Sequence, residues 1–281
     1  MINFNGAIVA SNSQLSVFNR GFLYGDALFE TLKIINGKPL FWEDHYFRLM
    51  ASMRILRMEI PMNFTMEFLQ EEISRLMEAE QLGSTSIRVR LTVFRDASGL
   101  YTPSTNSIKY LITSNRLENE LYENPEQDYE VELFKDHYVN QGMLSTLKTT
   151  NKMVNVLAGI YAKENSYSNC ILINNEKKVV ETLNGNLFLV KGNVIKTPPI
   201  EDGCLKGIIR KQLLAIIETN DKYIVEEASI SPFELQKADE LFVTNVIQGI
   251  RSITKYRKKL YERKVASDLL IKLNARVRLG A

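Results

Sequence analysis

The stretch SIRVRLTVF, residues 86–94, alternates strictly: Ile87, Val89, Leu91 and Val93 fall on one side, Arg88, Arg90 and Thr92 on the other. A period of two sends successive side chains to opposite faces of a strand. The segment is therefore one strand of a sheet with its apolar face inward and its arginines outward. Its surroundings agree. Asn5-Gly6 and Asn36-Gly37, each between apolar residues, are hairpin turns. Between residues 27 and 35 a second alternating strand presents Glu30 on one face and Thr31 on the other. Residues 43–58 carry Tyr46, Leu49, Met50, Met53 and Leu56 at helical spacing, and 65–82 carry Leu69, Ile73, Leu76 and Met77 before Gly83 stops the helix. The loop 95–106 and the strand IKYLIT complete an N-terminal α+β domain over residues 1–113. The polar stretch SNRLENELYENPEQD, residues 114–128, is the linker, and residues 129–281 form a second domain.

The second half has another rhythm. A helix is expected over 151–164, then strands CILIN, LFLV and NVIKT. GCLKGIIRKQLLAII moves from a glycine loop into a helix. In SPFE, Ser231 as N-cap, Pro232 in the first turn and Glu234 three residues on make a capping box, and the apolar strand ELFVTN follows.

With 281 residues, 45% of them hydrophobic, the chain has material for two domains of ordinary size. It contains no run of eighteen apolar residues and its first residues lack the pattern of a secretion signal, so a soluble cytoplasmic protein with no membrane partner is expected. Cys170, Cys204, His45 and His137 are too scattered for a metal cluster. The basic run RSITKYRKKLYERK, residues 251–264, reads as a lysine-protected edge hairpin, and no nucleic-acid partner is expected.

Four features of the second half bear on chemistry, and each alone has an ordinary structural explanation. The glycine loop of CLKGIIR leads to a helix whose free amides near Ile208 and Ile209 could hold a phosphate. Lys148 lies just ahead of a helix start, where dipole and burial favour a neutral amine. Glu181 ends the strand-like KVVE, and Thr244 and Asn245 close a buried strand. An amine for an aldehyde, a phosphate cup and a carboxylate for a protonated ring nitrogen together suit pyridoxal 5'-phosphate.

The sequence resembles the class IV aminotransferase family, the fold-type IV pyridoxal phosphate enzymes. The resemblance rests on NRGFLYGDALFETLKI, EDHYFRLMASM, LKTTNKMVNVLA, ETLNGNLFLVKGNVIKTP, CLKGIIR and ADELFVTNVIQGIRSI, in family order along nearly the whole chain. It implies a smaller N-terminal α+β domain and a larger C-terminal mixed-sheet domain, with the cofactor between them. It makes Lys148 the Schiff-base lysine and proton carrier, with Lys152 as a rival at a position relatives fill with apolar residues. Arg48, the amides of Ile208 and Ile209 and the Thr244 hydroxyl become phosphate ligands, and Glu181 the partner of the pyridine nitrogen. Tyr24, Phe29, Glu30, Thr31 and Asn245 become substrate contacts, with Arg95 and Tyr101 on the loop RDASGLYTP available for a substrate carboxylate. A homodimer is implied, since family members complete this pocket with a neighbouring subunit's loop.

Two reactions fit the resemblance. GFLYG, FET and TNVIQGIRSI look like the versions found in 4-amino-4-deoxychorismate lyase, which releases pyruvate to give p-aminobenzoate for folate biosynthesis. Branched-chain enzymes usually carry a GTA-type turn where this chain has Thr244-Asn245-Val246, although Glu30 is shared with transaminases. The alternative is a branched-chain or D-amino-acid transaminase acting with 2-oxoglutarate.

Overall fold

The computed structural model describes residues 1–12, 15–83, 85–219 and 221–279. Its contacts group into two compact units, Met1–Glu120 with Lys148–Asn151, and Leu121–Leu147 with Lys152–Ala281. The short segment Lys148–Asn151, which the sequence boundary assigns to the second domain, thus packs with the first.

The first unit comprises β1 (Ile2–Phe4), β2 (Ala7–Val9), α1 (Arg20–Tyr24), β3 (Ala27–Ile35), β4 (Lys38–Pro39), α2 (Trp42–Ile55), α3 (Met66–Ala79), β5 (Ile87–Arg95) and β6 (Ile108–Arg116). The strands form one antiparallel sheet in the order β2-β1-β6-β5-β3-β4. Its apolar side is the alternation seen in the sequence: Ile87, Val89, Leu91 and Val93 are completely buried, alongside Leu28, Leu32, Ile34 and Ile112. Burying such side chains stabilises by about 1.5–3 kcal/mol each, which fixes the register, because a one-residue slip would turn every one outward. The two helices match the apolar spacing, but α3 ends at Ala79, short of the expected Gly83 stop.

The second unit comprises β7 (Glu130–Leu133), α4 (Met153–Glu164), β8 (Asn169–Ile173), β9 (Val179–Thr182), β10 (Asn186–Lys191), β11 (Val194–Thr197), α5 (Ile208–Glu218), β12 (Ile224–Glu227), α6 (Pro232–Lys237), β13 (Glu240–Asn245), β14 (Gly249–Ile253), β15 (Lys255–Tyr256), β16 (Lys259–Leu260) and α7 (Lys264–Arg278). Two mixed sheets result, β12-β11-β10-β13-β14 and β16-β15-β7-β8-β9. The capping box at Ser231 and Glu234 starts α6 as expected. The basic run resolves into the end of β14, the small β15–β16 hairpin and the first residue of α7. Among the described residues no helix is long and apolar enough to cross a membrane.

Candidate active site

In the first unit the aromatic turn before β3 is a single helical turn. Asn19 caps α1 by accepting from the Phe22 N–H at 3.1 Å, and Gly25 ends it in the left-handed region at φ 63°. A β-carbon on Gly25 would stand 2.3 Å from Asn151 Oδ1, so glycine is needed on two counts. The turn is a clamp. Asp26 Oδ2 accepts from both Arg20 Nε and Arg95 Nε, at 3.0 and 2.9 Å, while Arg20 Nη1 donates to the carbonyls of Gly99 and Leu100. The loop that follows β5 is thereby held so that Tyr101, otherwise exposed, rests 5.8 Å from the Tyr24 ring.

This clamp changes the reading of Arg95. It is buried, and its remaining donors go to Asn106 Oδ1 and to the carbonyls of Leu56 and Arg57. Arg95 therefore shapes the loop, with its guanidinium committed to protein acceptors rather than turned to a substrate carboxylate.

Lys148 is placed by β3. Its carbonyl accepts from the Phe29 N–H at 2.9 Å, and Leu28 and Thr149 form an antiparallel bridge. The ammonium stands 4.5 Å over the Phe29 ring. The expected helix-dipole effect does not place it: α4 begins at Met153, with Lys152 as its N-cap. Phe29 and Thr31 lie on the half-exposed face of β3, whereas Glu30 points the other way and is buried. There His45 Nδ1 meets Glu30 Oε2 at 2.7 Å, and Arg48 donates from Nε and Nη2 to the two carboxylate oxygens at 2.8 and 2.5 Å. Burial alone would raise the pKa of this carboxyl, but Arg48 and then His45 overcome it and hold Glu30 down at about 2. Burial keeps His45 below the usual histidine range, against the pull of Glu30. Glu30 thus tethers Arg48 instead of sharing a substrate wall with Phe29 and Thr31.

In the second unit the groups suited to a phosphate lie at adjoining chain ends. Asn186 and Thr244 are register partners on β10 and β13. Thr244 Oγ1 is buried and has no hydrogen-bond partner among the described residues, an arrangement that costs about 1–3 kcal/mol unless a ligand answers it. Asn186 Nδ2 donates to the Leu205 carbonyl, and Gly207 comes so near that a β-carbon there would stand 2.0 Å from Asn186 Oδ1. Gly207 is the N-cap of α5 and offers no side-chain cap, so the Ile208 and Ile209 amides open the helix beneath it. Glu181 Oε2 accepts from the Leu205 N–H at 3.0 Å, which ties the carboxylate to the same loop. These residues fit pyridoxal phosphate: an orphaned hydroxyl and a helix start for the phosphate, an oriented carboxylate for the ring nitrogen.

Two neighbours are informative. The Cys204 thiol is pushed up to about 12 by burial and then by the Glu181 carboxylate, so it stays protonated and inert. Lys152 is drawn below the usual lysine range by burial, with Glu181 opposing, which keeps it a chemical rival to Lys148. After β13, Asn245 Oδ1 accepts from the N–H groups of Ile247 and Gln248, at 3.1 and 2.9 Å. The turn is closed by its own side chain.

Residues 27–256 match the family model for class IV amino-transferases. The chain belongs to that family. Class IV amino-transferases use pyridoxal phosphate. A Methanocaldococcus jannaschii protein provisionally named a branched-chain-amino-acid aminotransferase is 27% identical over 274 residues, 97% of this chain and 93% of that one. The D-alanine aminotransferase of Bacillus licheniformis is 26% identical, over 89% of this chain and 86% of its own. Among solved structures, the Thermoproteus uzoniensis branched-chain aminotransferase with norvaline has a TM-score of 0.86 at 22% identity, covering 99% and 94% of the two chains. A Legionella pneumophila protein provisionally named 4-amino-4-deoxychorismate lyase has a TM-score of 0.82 at 25% identity, covering 94% and 96%. The Thermobaculum terrenum branched-chain aminotransferase in its pyridoxal phosphate form has 0.85 at 19%, covering 98% and 92%. The fold-type IV architecture expected from the motifs is therefore the fold of this chain.

Sequence reading missed the roles of Asp26, His45 and Asn186. Asn186 had a signal in its place near Glu181 and the glycine of TLNGN; Asp26 and His45 had none, since Arg95 and Glu30 are brought to them only by the folded sheet.

Proposed function

We propose that this enzyme is a pyridoxal phosphate-dependent 4-amino-4-deoxychorismate lyase, releasing pyruvate and leaving p-aminobenzoate, and that it works as a cytoplasmic homodimer. The observation that carries the choice of reaction is the turn after β13. Its amides at Ile247 and Gln248 are taken by the side chain of Asn245, a residue that stands where branched-chain transaminases usually carry a GTA-type turn in place of Thr244-Asn245-Val246. The Legionella relative supports the same choice. Exposed Phe18, Phe22, Leu100 and Tyr101 around the α1 turn favour a partner subunit there.

Bound pyridoxal phosphate would supply an aldehyde for the substrate amine and a protonated ring that stores an electron pair. Thr244 Oγ1 and the Ile208 and Ile209 amides would hold its phosphate, joined by Arg48, whose side chain Glu30 keeps in place. The Glu181 carboxylate would keep the ring nitrogen protonated. Lys148 Nζ takes the proton from the amine-bearing carbon. The carbon–oxygen bond to the enolpyruvyl group then breaks, and the departing enol accepts a proton at carbon to become pyruvate.

A second reading, transamination, is favoured by the branched-chain and D-alanine aminotransferases among the relatives and by Glu30. Mixing the cofactor-loaded enzyme with 4-amino-4-deoxychorismate separates the two. Equimolar pyruvate and p-aminobenzoate are expected; neither product, with amino transfer from an L- or D-amino acid to 2-oxoglutarate, would establish the second reading instead.

A further inference from the structure

The second unit contains a cleft of about 590 Å³ whose lining includes none of the residues suited to the cofactor. Small-molecule sites occupy roughly 300–1,000 Å³. The body of the cleft is apolar, built from Leu133 of β7, Ile173 of β8, Pro232 and Phe233 of α6, and Tyr256 of β15. Tyr256 is completely buried and forms the floor, and its hydroxyl has no hydrogen-bond partner among the described residues. A buried hydroxyl left that way is costly unless something answers it. Phe233 is the opposite case: it stands mostly exposed at the mouth.

The charges bordering the cleft do not balance. Its acids are already engaged: Glu176 pairs with Lys178 at 2.7 Å, and Glu234 pairs with Lys196 at 2.8 Å while completing the capping box of α6. Arg257 has Glu132 at 3.5 Å. Lys135 and Lys177 are left, and among the described residues neither is ion-paired. Lys177 Nζ instead lies 3.8 Å over the Tyr138 ring and donates to the Tyr138 hydroxyl. The turn that carries Lys177 is pinned by buried Asn174, whose Oδ1 accepts from the Glu176 and Lys178 N–H groups, each at 3.0 Å, and whose Nδ2 donates to the Asp202 carbonyl. A bridge between Asn174 and Val139 brings the Lys135 segment alongside. Two ammonium groups without acids thus border an apolar cleft with an orphaned phenol at its floor. An anion answers the first feature, a flat ring against Phe233 and Tyr256 the second, and a polar atom at the ring's far end the third.

We propose that this cleft is a second ligand site, for a small aromatic carboxylate with a hydrogen-bonding group opposite the acid. The carboxylate meets Lys135 and Lys177, the ring lies against Leu133, Ile173 and Phe233, and the far polar group meets the Tyr256 hydroxyl. The site does not depend on which reaction the enzyme performs.

The cofactor-loaded enzyme is titrated calorimetrically with 4-hydroxybenzoate, with benzoate, which lacks the far polar group, and with 4-hydroxybenzamide, which lacks the charge. 4-Hydroxybenzoate should bind with a Kd of about 0.1–1 mM, ordinary for a ligand of its size, and about tenfold more tightly than either analogue. Lys135→Gln combined with Lys177→Gln should bring 4-hydroxybenzoate to the level of the amide, and Tyr256→Phe should bring it to the level of benzoate. Cofactor content and turnover should be unchanged in both. No detectable binding, equal affinity for all three compounds, or binding that survives the paired lysine change would each overturn the proposal. Should Tyr256→Phe fail to fold, the wild type decides the floor contact alone: equal affinity for 4-hydroxybenzoate and benzoate would remove it and the proposal with it.

Discussion

The two units hold their functional groups by different means. In the first, charged side chains do the positioning: Glu30 anchors His45 and Arg48, and Asp26 gathers Arg20 and Arg95. In the second, backbone and close approach do it: Gly207 against Asn186, the Leu205 N–H on Glu181, Asn245 closing its own turn. The difference teaches where each half is vulnerable. A charge network is disturbed by protons and by loss of one partner, a backbone cup by added bulk or a missing ligand atom.

The contrast can be broken most strongly at Glu181. Glu181→Gln keeps the shape and the Leu205 contact but removes the charge, so turnover should fall about 100- to 1000-fold with cofactor retained, roughly 3–4 kcal/mol at the barrier. Unchanged turnover, measured with cofactor content by absorbance, would remove Glu181 from the ring nitrogen. Next is Glu30→Gln, which leaves the mostly buried Arg48 charge beside a neutral amide. Unfolding in denaturant should show a loss of about 3 kcal/mol, and a loss under about 1 kcal/mol would mean that the network contributes little. Thr244→Val should weaken cofactor binding about tenfold, because it replaces the orphaned hydroxyl without changing its volume, and should leave folding of the cofactor-free chain intact or slightly improved. Weaker folding with unchanged cofactor affinity would show that the hydroxyl answers the protein instead.

The smallest effect concerns pH. His45 is held below its ordinary value in the fold, so below about 6.5 the unfolded chain takes up a proton that the folded chain refuses, and stability falls. Glu30, held down at about 2, adds stability that is full above its ordinary value near 4.5 and is lost as the pH falls toward 2. Between pH 7 and 5 the histidine acts first. Stability should drop by about 1 kcal/mol over that window, and His45→Gln should flatten the drop. An equal drop in both proteins would assign it elsewhere.

Much of the fold was legible because it is written in periodicity. The β5 alternation, the helix spacing of α2 and α5 and the capping box at Ser231 each depend on residues close in the chain. The cup around Thr244 was legible as motif order, though the orphaned hydroxyl itself was not. What escaped was the meaning of residues whose partners are distant. Arg95 reads as an available arginine until Asp26, Asn106 and two carbonyls surround it. Arg90 reads as an ordinary outward arginine, and only the strand pairing reveals that threonines, Thr31 and Thr113, flank it. Lys148 was found by motif, but its placement by β3 depends on the Phe29 N–H at its carbonyl and on an isolated bridge between Leu28 and Thr149, which no local pattern announces.

The central claim is that β3 presents the reacting amine, and Lys152, desolvated next to Glu181, is its competitor. The direct measurement is borohydride reduction of the cofactor-loaded enzyme, followed by proteolysis and mass spectrometry of the labelled peptide. The account predicts the phosphopyridoxyl group on Lys148 and no stable label in Lys148→Ala; the label on Lys152 of the wild type would contradict it.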